Sequence, residues 1–70
     1  QALPVLVKEL EGVDPTARVR AARALQLLGD TARPALPALK GALAAARNGR
    51  GDPAMFVRFA LEPTVERLER

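Results

Sequence analysis

A pair of helical segments occurs twice in this sequence, and the repetition restricts the fold more than any other feature. The motif Leu-Pro-x-Leu begins at Leu3 and again at Leu36, 33 residues later. The second segment of each pair opens with Asp-Pro, at Asp14 and Asp52. Repeats of this length that contain two helices each are typical of α-solenoids, in which every repeat buries its apolar face against its neighbours.

Apolar residues recur at helical spacing in all four segments. Intervals of three and four residues place them on one side of each helix, and no segment alternates as a β-strand does. The predicted buried residues are Leu3, Leu6, Val7 and Leu10, then Ala17, Ala21, Ala24, Leu25 and Leu28, then Leu36, Leu39, Leu43 and Ala46, and finally Val57, Leu61, Val65 and Leu68. The sequence therefore predicts an all-α fold of two stacked antiparallel helix pairs, an α-solenoid fragment. Residues 1–29 form the first repeat, and residues 30–70 form the second with its C-terminal capping helix.

The turn residues predict where the helices begin and end. Asp14 is expected to be the N-cap of the second helix, and Asp52 is expected to play the same role in the fourth. Gly29 is expected to end the second helix in the C′ position. Pro63 lies inside the fourth segment, so we expect it to kink or interrupt that helix near Phe59.

Two other sets of residues are expected to serve the stacking of the repeats. Arg20 and Arg58 occupy equivalent positions, and we expect them to pair with turn acids such as Asp14 and Asp52 or with neighbouring helix ends. The third helix has a side of small residues, which allows another helix to come close: Ala38, Gly41, Ala42 and Ala45.

The composition argues against catalysis by this chain. It contains no His, Cys, Tyr or Trp and no Ser, so the usual general base, nucleophiles and soft metal ligands are missing. We therefore expect a non-enzymatic chain without a cofactor or a metal. No apolar run approaches the roughly 18 residues of a membrane helix, and no membrane partner is expected.

Several apolar residues fall outside the predicted buried faces, and three of them are candidates for contact with another protein. Met55 and Phe59 lie on one flank of the fourth helix, and Val5 lies on an otherwise polar flank of the first, where a preceding repeat would pack. Methionine and aromatic residues are enriched at protein contacts, so these three form the candidate contact surface. The alternative is that Pro63 turns Met55 and Phe59 inward to enlarge the core.

The excess of basic over acidic residues suggests a second kind of partner. Eleven Lys and Arg residues outnumber eight Asp and Glu, for a net charge of +3, and nucleic acid or a sulfated polysaccharide binds such surfaces. The candidate contacts are Arg18, Arg20, Arg23, Arg33 and Lys40. Acidic residues are interspersed and no aromatic residues stand between the basic ones, so a solvated face is the preferred interpretation.

The repeat resembles the HEAT family. The matching residues are Pro4, Asp14, Val19, Arg20, Ala22, Leu25, Leu28 and Gly29 in the first repeat, and Pro37, Asp52, Val57, Arg58 and Ala60 in the second. The resemblance implies a rigid scaffold that presents a fixed surface to another protein. The Leu-Gly ending is missing from the second repeat, as expected of a terminal one.

Two stretches, residues 29–39 and 51–58, also look like the HEAT-like C-terminal extension of some bacterial sulfatases. That resemblance implies the end of a longer bacterial polypeptide, whose catalytic Cys or Ser lies upstream of Gln1, since this chain has neither. The implied partners are the upstream domain or repeats of the same polypeptide, or another protein. The implied location is periplasmic or extracellular, and without this resemblance it is cytoplasmic.

Overall fold

Helices account for nearly all of residues 2–70, the part of the chain that the computed structural model describes. The four α-helices are α1 (Ala2–Leu10), α2 (Pro15–Leu28), α3 (Leu36–Asn48) and α4 (Asp52–Leu68), and a 3-10 segment (Gly29–Ala35) joins α2 to α3. No β-strand is present within this range. The predicted all-α fold is confirmed.

The four helices pack in the order α1, α2, α4, α3. The most extensive contact joins α2 to α4, followed by those of α3 with α4 and of α1 with α2. In contrast, α1 touches α3 only slightly, and α2 does not contact α3. The two helix pairs that are adjacent in sequence are therefore joined mainly through their second helices.

The core consists of aliphatic side chains, and its largest members come from the last three helices. The biggest fully buried side chains are Leu25, Leu39, Leu61 and Leu68. In α1 only Leu10 is fully buried, and the other residues of its predicted face, Leu3, Leu6 and Val7, pack against the core while partly exposed. Consequently α1 is the least deeply anchored helix.

Both ends of α2 are formed as the sequence predicts. The backbone N–H of Thr16 donates to Oδ1 of Asp14 over 3.0 Å, and Pro15 occupies the first turn, where its missing N–H leaves no bond unmade. At the other end Gly29 has φ +57° and donates its N–H to the carbonyl of Gln26. Positive φ favours glycine because it has no Cβ. The predicted N-cap role of Asp14 is confirmed, and Gly29 ends α2 as predicted, although as the C-cap residue rather than the C′ residue.

The start of α4 differs from the prediction. Gly51, with φ +88°, is the N-cap residue, and no side chain caps the helix. Asp52 is instead the first helical residue, so its predicted role as N-cap was wrong. Glycine is an acceptable N-cap, and the Asp52 carboxylate still lies in the first turn, where the helix dipole favours negative charge.

The proline in α4 does not interrupt the helix. Residues from Asp52 to Leu68 are continuously helical through Pro63, so the predicted interruption near Phe59 does not occur. Pro63 leaves the Phe59 carbonyl without its N–H donor. Both residues lie on the exposed side of α4, where water can supply the missing hydrogen bond.

The small-residue side of α3 is not covered by another helix of the described chain. A Cβ at Gly41 would meet nothing within 4 Å, and Gly41 and Ala45 are exposed. Within residues 2–70 no helix uses the close approach that these small residues allow. The reason is the packing order, because α4 covers the other side of α3 and α1 packs mainly on α2.

Gly29→Ala is expected to lower the free energy of unfolding by roughly 1–3 kcal/mol, the usual cost of such backbone strain. The new Cβ would also lie 3.2 Å from Nη1 of Arg67. Urea denaturation measures the loss. Gly41→Ala is the matched control: its Cβ has free space, and helix propensity predicts a gain of about 0.5–1 kcal/mol. Equal responses of the two variants would contradict the backbone argument.

Candidate contact surface

Three exposed apolar side chains form a line along α4. Phe56, Phe59 and Pro63 are spaced by three and four residues, which places them on the same side of the helix. Phe56 is 50% exposed and Phe59 is 56% exposed. We call these three residues the α4 stripe.

Neither aromatic residue of the chain belongs to the core. The sequence has two phenylalanines and no tyrosine or tryptophan, and both phenylalanines are in the α4 stripe. Phe is normally among the most buried residue types, and a fully buried aromatic ring removes about 150–250 Å² from water. Two rings and a proline ring on a rigid helix therefore form a surface that gains free energy when another molecule covers it.

The three residues of the predicted contact surface, Met55, Phe59 and Val5, do not form one surface in the structure. Phe59 faces solvent, so it is not turned inward by Pro63, and Met55 beside it is half-buried. Val5 is also exposed, but it lies on α1, which does not contact α4. Phe56 was missed by the sequence analysis, although its spacing to Phe59 and Pro63 would have revealed it.

One of the candidate polyanion contacts is used inside the chain, at the C-terminal end of α4. Nη1 of Arg33 donates to the carbonyl of Leu68, and Nη2 lies 3.5 Å from Oδ1 of Asp30. The same Asp30 oxygen lies 3.4 Å from Nε of Arg67. A cationic side chain at a helix C-terminus satisfies a free carbonyl and complements the helix dipole. Arg33 therefore connects the 3-10 segment to α4.

The other candidate basic residues do not form one surface. On α3, Nζ of Lys40 lies 2.8 Å from Oε2 of Glu69. On α2, Arg18 donates to the carbonyl of Gly12, and Arg23 donates to Oε1 of Gln26. Lys40 and Arg18 lie on different sides of α3, because Lys40 faces Glu69 whereas Arg18 borders the space beside Ala38 and Gly41. Four of the five candidates thus have intramolecular partners, and the fifth, Arg20, has none among the described residues.

The expected pairing of Arg20 and Arg58 with the turn acids is absent from the described part of the chain. The ion pairs found there involve neither arginine, and neither Asp14 nor Asp52. Arg18 reaches the first turn instead, through its 3.3 Å hydrogen bond to the Gly12 carbonyl. In the turn between α1 and α2, an arginine thus bonds to a backbone carbonyl rather than to the Asp14 carboxylate. The predicted pairing of Arg20 and Arg58 with the turn acids was wrong.

A groove of about 600 Å³ lies beside the small-residue side of α3, between the end of α1 and the start of α4. Small residues line most of it, and the charged residues on its lining are Glu11, Arg18 and Arg50. These residues do not form an acid–base pair or a nucleophile with its base. Within residues 2–70 no group of three or more acidic residues could hold a metal ion. None of the described helices is both long and apolar enough to cross a bilayer.

Comparisons with known proteins identify no relative of this chain. The chain matches no family model, no curated protein and no solved structure.

Replacing Arg33 with alanine is expected to cost about 1 kcal/mol of unfolding free energy. A hydrogen bond from a charged donor contributes about 1.5–3 kcal/mol, and the half-exposed position of Arg33 reduces that value through solvent screening. Guanidinium chloride is a salt and would screen the charge of Arg33, so urea is the appropriate denaturant. Arg23→Ala serves as control, because Arg23 bonds only to Gln26 within one exposed turn, and it should change stability by less than about 0.5 kcal/mol. A larger loss in the control would refute the proposed connection to α4.

Proposed function

We propose that this chain is a non-catalytic interaction module that binds protein through the α4 stripe. One observation carries the proposal: both aromatic residues of the chain lie exposed on the same side of one helix, while the core is built without them. Aromatic residues at the centre of a protein contact account for much of its binding energy. The mechanism is a fixed shape held by packed helices, without bond chemistry.

We also propose that the chain is a HEAT-like repeat unit at the end of a larger bacterial protein, such as a sulfatase-like hydrolase. In that protein it would support the catalytic domain or its assembly. The support is the sequence resemblance, together with a packing order in which two successive helix pairs meet through α2 and α4. A stack of two-helix repeats requires such a contact between successive pairs.

Cysteine labelling tests whether the α4 stripe is a contact surface. The chain contains no cysteine, so Phe59→Cys introduces a single thiol within it. We expect this thiol to react at least tenfold more slowly in the longer protein proposed above than in the dilute isolated chain, as read by mass spectrometry of the labelled peptide. Leu27→Cys on α2 is the control, since Leu27 is 71% exposed and lies outside the stripe. Equal labelling rates at position 59 in both samples would refute the proposal.

Heparin and duplex DNA test the alternative partner. An apolar contact surface predicts no binding of either at 150 mM salt. Binding that weakens steeply as salt rises and is lost in Arg20→Ala would instead assign the chain to polyanions.

A further inference from the structure

The end of α3 carries an asparagine followed by a glycine. Asn48 is the last residue of α3, Gly49 follows it in the loop before α4, and both residues are exposed. Asn48 is the only asparagine of the chain. The backbone nitrogen of the residue after an asparagine can attack the side-chain amide, and glycine hinders this attack least because it has no Cβ. The pair therefore joins a reactive side chain to an unhindered nucleophile.

We propose that Asn48 is a site of spontaneous deamidation and that the last turn of α3 sets its rate. In this reaction the backbone nitrogen of Gly49 forms a bond to Cγ of Asn48, and the bond from Cγ to Nδ2 breaks. Nδ2 leaves as ammonia, which takes up the proton that the Gly49 nitrogen gives up. Water then opens the resulting cyclic imide at either carbonyl and leaves aspartate or isoaspartate at position 48. Water is the only co-reactant, and no atom is oxidised or reduced.

Both reacting groups are held in the folded chain. The N–H of Gly49 donates to the carbonyl of Ala46 over 3.1 Å, which keeps the proton on the nitrogen and directs it toward the helix. Nδ2 of Asn48 donates to the carbonyl of Ala44 over 3.2 Å, which fixes the side chain beside the helix. The attack requires both hydrogen bonds to break. The last turn of α3 must therefore open before the reaction can occur.

An ion pair with α4 holds this turn closed. Nη2 of Arg47 lies 3.4 Å from Oε2 of Glu62, and Arg47 directly precedes Asn48. Both side chains are about half-exposed, so the pair stabilises the closed turn only modestly. Helix ends open at a free energy well below that of global unfolding. Asn48 is therefore expected to react in the folded chain at a rate that a glutamate of another helix influences.

The products do not fit the turn as asparagine does. A carboxylate at position 48 cannot donate to the Ala44 carbonyl, and it places negative charge at a helix C-terminus, where the dipole disfavours it. Isoaspartate also lengthens the backbone just before Gly49, which packs so closely on α4 that an added Cβ would lie 3.0 Å from Cβ of Ala54. Gly49, Arg50 and Ala54 border the groove beside α3. Deamidation thus alters one wall of that groove.

Mass spectrometry of the 70-residue chain, incubated in mildly alkaline buffer with and without urea, tests the reaction. Cleavage after lysine yields a fragment of residues 41–70, in which Asn48 is the only side-chain amide. A gain of the mass difference between an amide and a carboxyl group therefore reports position 48. We expect the folded chain to react about tenfold more slowly than the unfolded chain, because only its open fraction reacts. Equal rates, or no reaction in the folded chain when the unfolded chain has reacted fully, overturn the proposal.

Two glutamate variants test whether the turn sets the rate. Glu62→Gln removes the ion pair with Arg47 and leaves the sequence around Asn48 unchanged. The folded variant should deamidate about two- to fivefold faster, as loss of an exposed ion pair predicts, while its rate in urea stays that of the parent.

Glu69→Gln is the matched control for Glu62→Gln. Glu69 pairs with Lys40, which lies about two turns before Asn48 on α3, so its loss should leave the rate at position 48 unchanged. Circular dichroism verifies that both variants remain helical. Equal acceleration by both variants, or none by Glu62→Gln, overturns the role of the last turn of α3.

Asn48→Asp supplies the aspartate product directly and tests its effect on the turn. We expect the Gly49 amide of this variant to exchange with solvent about two- to fivefold faster than in the parent, each rate being taken relative to that of the unfolded chain. The reasons are the lost hydrogen bond to Ala44 and the unfavourable charge at the helix end. An unchanged rate would show that the carboxylate fits the turn as well as the amide does, contrary to the proposed consequence.

Discussion

Leu25→Ala is expected to lower the free energy of unfolding by about 2–5 kcal/mol, the usual range for removing a fully buried leucine. Leu25 is completely inaccessible to solvent, and it belongs to α2, which forms the most extensive helix contact with α4. At about 0.05–0.15 kcal/mol per residue, a chain of this length has roughly 4–10 kcal/mol in total. The substitution therefore removes a large part of the stability, and a thermal melt should shift down by about 10 °C or more.

The same substitution two residues along α2 is the control. Leu27→Ala removes the same atoms from a side chain that is largely exposed, so we expect a change below about 0.5 kcal/mol. Both melts are recorded at one protein concentration, so that both variants are compared under the same conditions. Similar losses for both leucines would mean that α2 does not present the side described above to α4.

Pro63→Ala is expected to increase stability by about 2 kcal/mol. Proline inside a helix is about 3 kcal/mol less favourable than alanine, and about 0.4–1 kcal/mol of that gain is lost because alanine leaves the unfolded chain more flexible. Pro63 is exposed, so little packing is lost, and the Phe59 carbonyl regains a donor. The melting temperature should rise by roughly 8–16 °C.

Pro53→Ala separates this effect from a general effect of removing proline. Pro53 lies in the first turn of α4, where proline costs nothing because that N–H has no intrahelical acceptor. We expect no gain, or a small loss, from this variant. A stabilisation of the same size at both positions would show that the gain at Pro63 does not come from the interior of the helix.

Interactions between neighbouring residues were predictable from the sequence. The spacing of apolar residues identified the inward sides of the helices, and Asp14 and Gly29 marked the ends of α2, because each of these effects acts within one or two turns. The prediction for Asp52 failed by one residue, because the loop before α4 offers a glycine at the N-cap position. The interruption at Pro63 failed because the cost of proline depends on whether solvent reaches the carbonyl that it frees.

Interactions between distant residues were not predictable from local patterns. Arg33 and Leu68 are 35 residues apart, and no spacing rule relates an arginine in a linker to the last turn of another helix. The exposure of the small-residue side of α3 was unpredictable for the same reason. Small residues show only that another helix can come close, and the packing order of the helices decides whether one does. Phe56 is different: its spacing to Phe59 and Pro63 was visible in the sequence.

The shallow burial of α1 has a consequence for native-state hydrogen exchange. Because Leu10 is its only fully buried residue and α2 is its main neighbour, α1 can detach while α2, α3 and α4 remain packed. Its amides are expected to exchange through this partial opening, at a free energy well below that of global unfolding, while those of α2 and α4 require unfolding of the whole chain. Leu10 and Gly12 border the groove beside α3, so each such opening is expected to widen that groove.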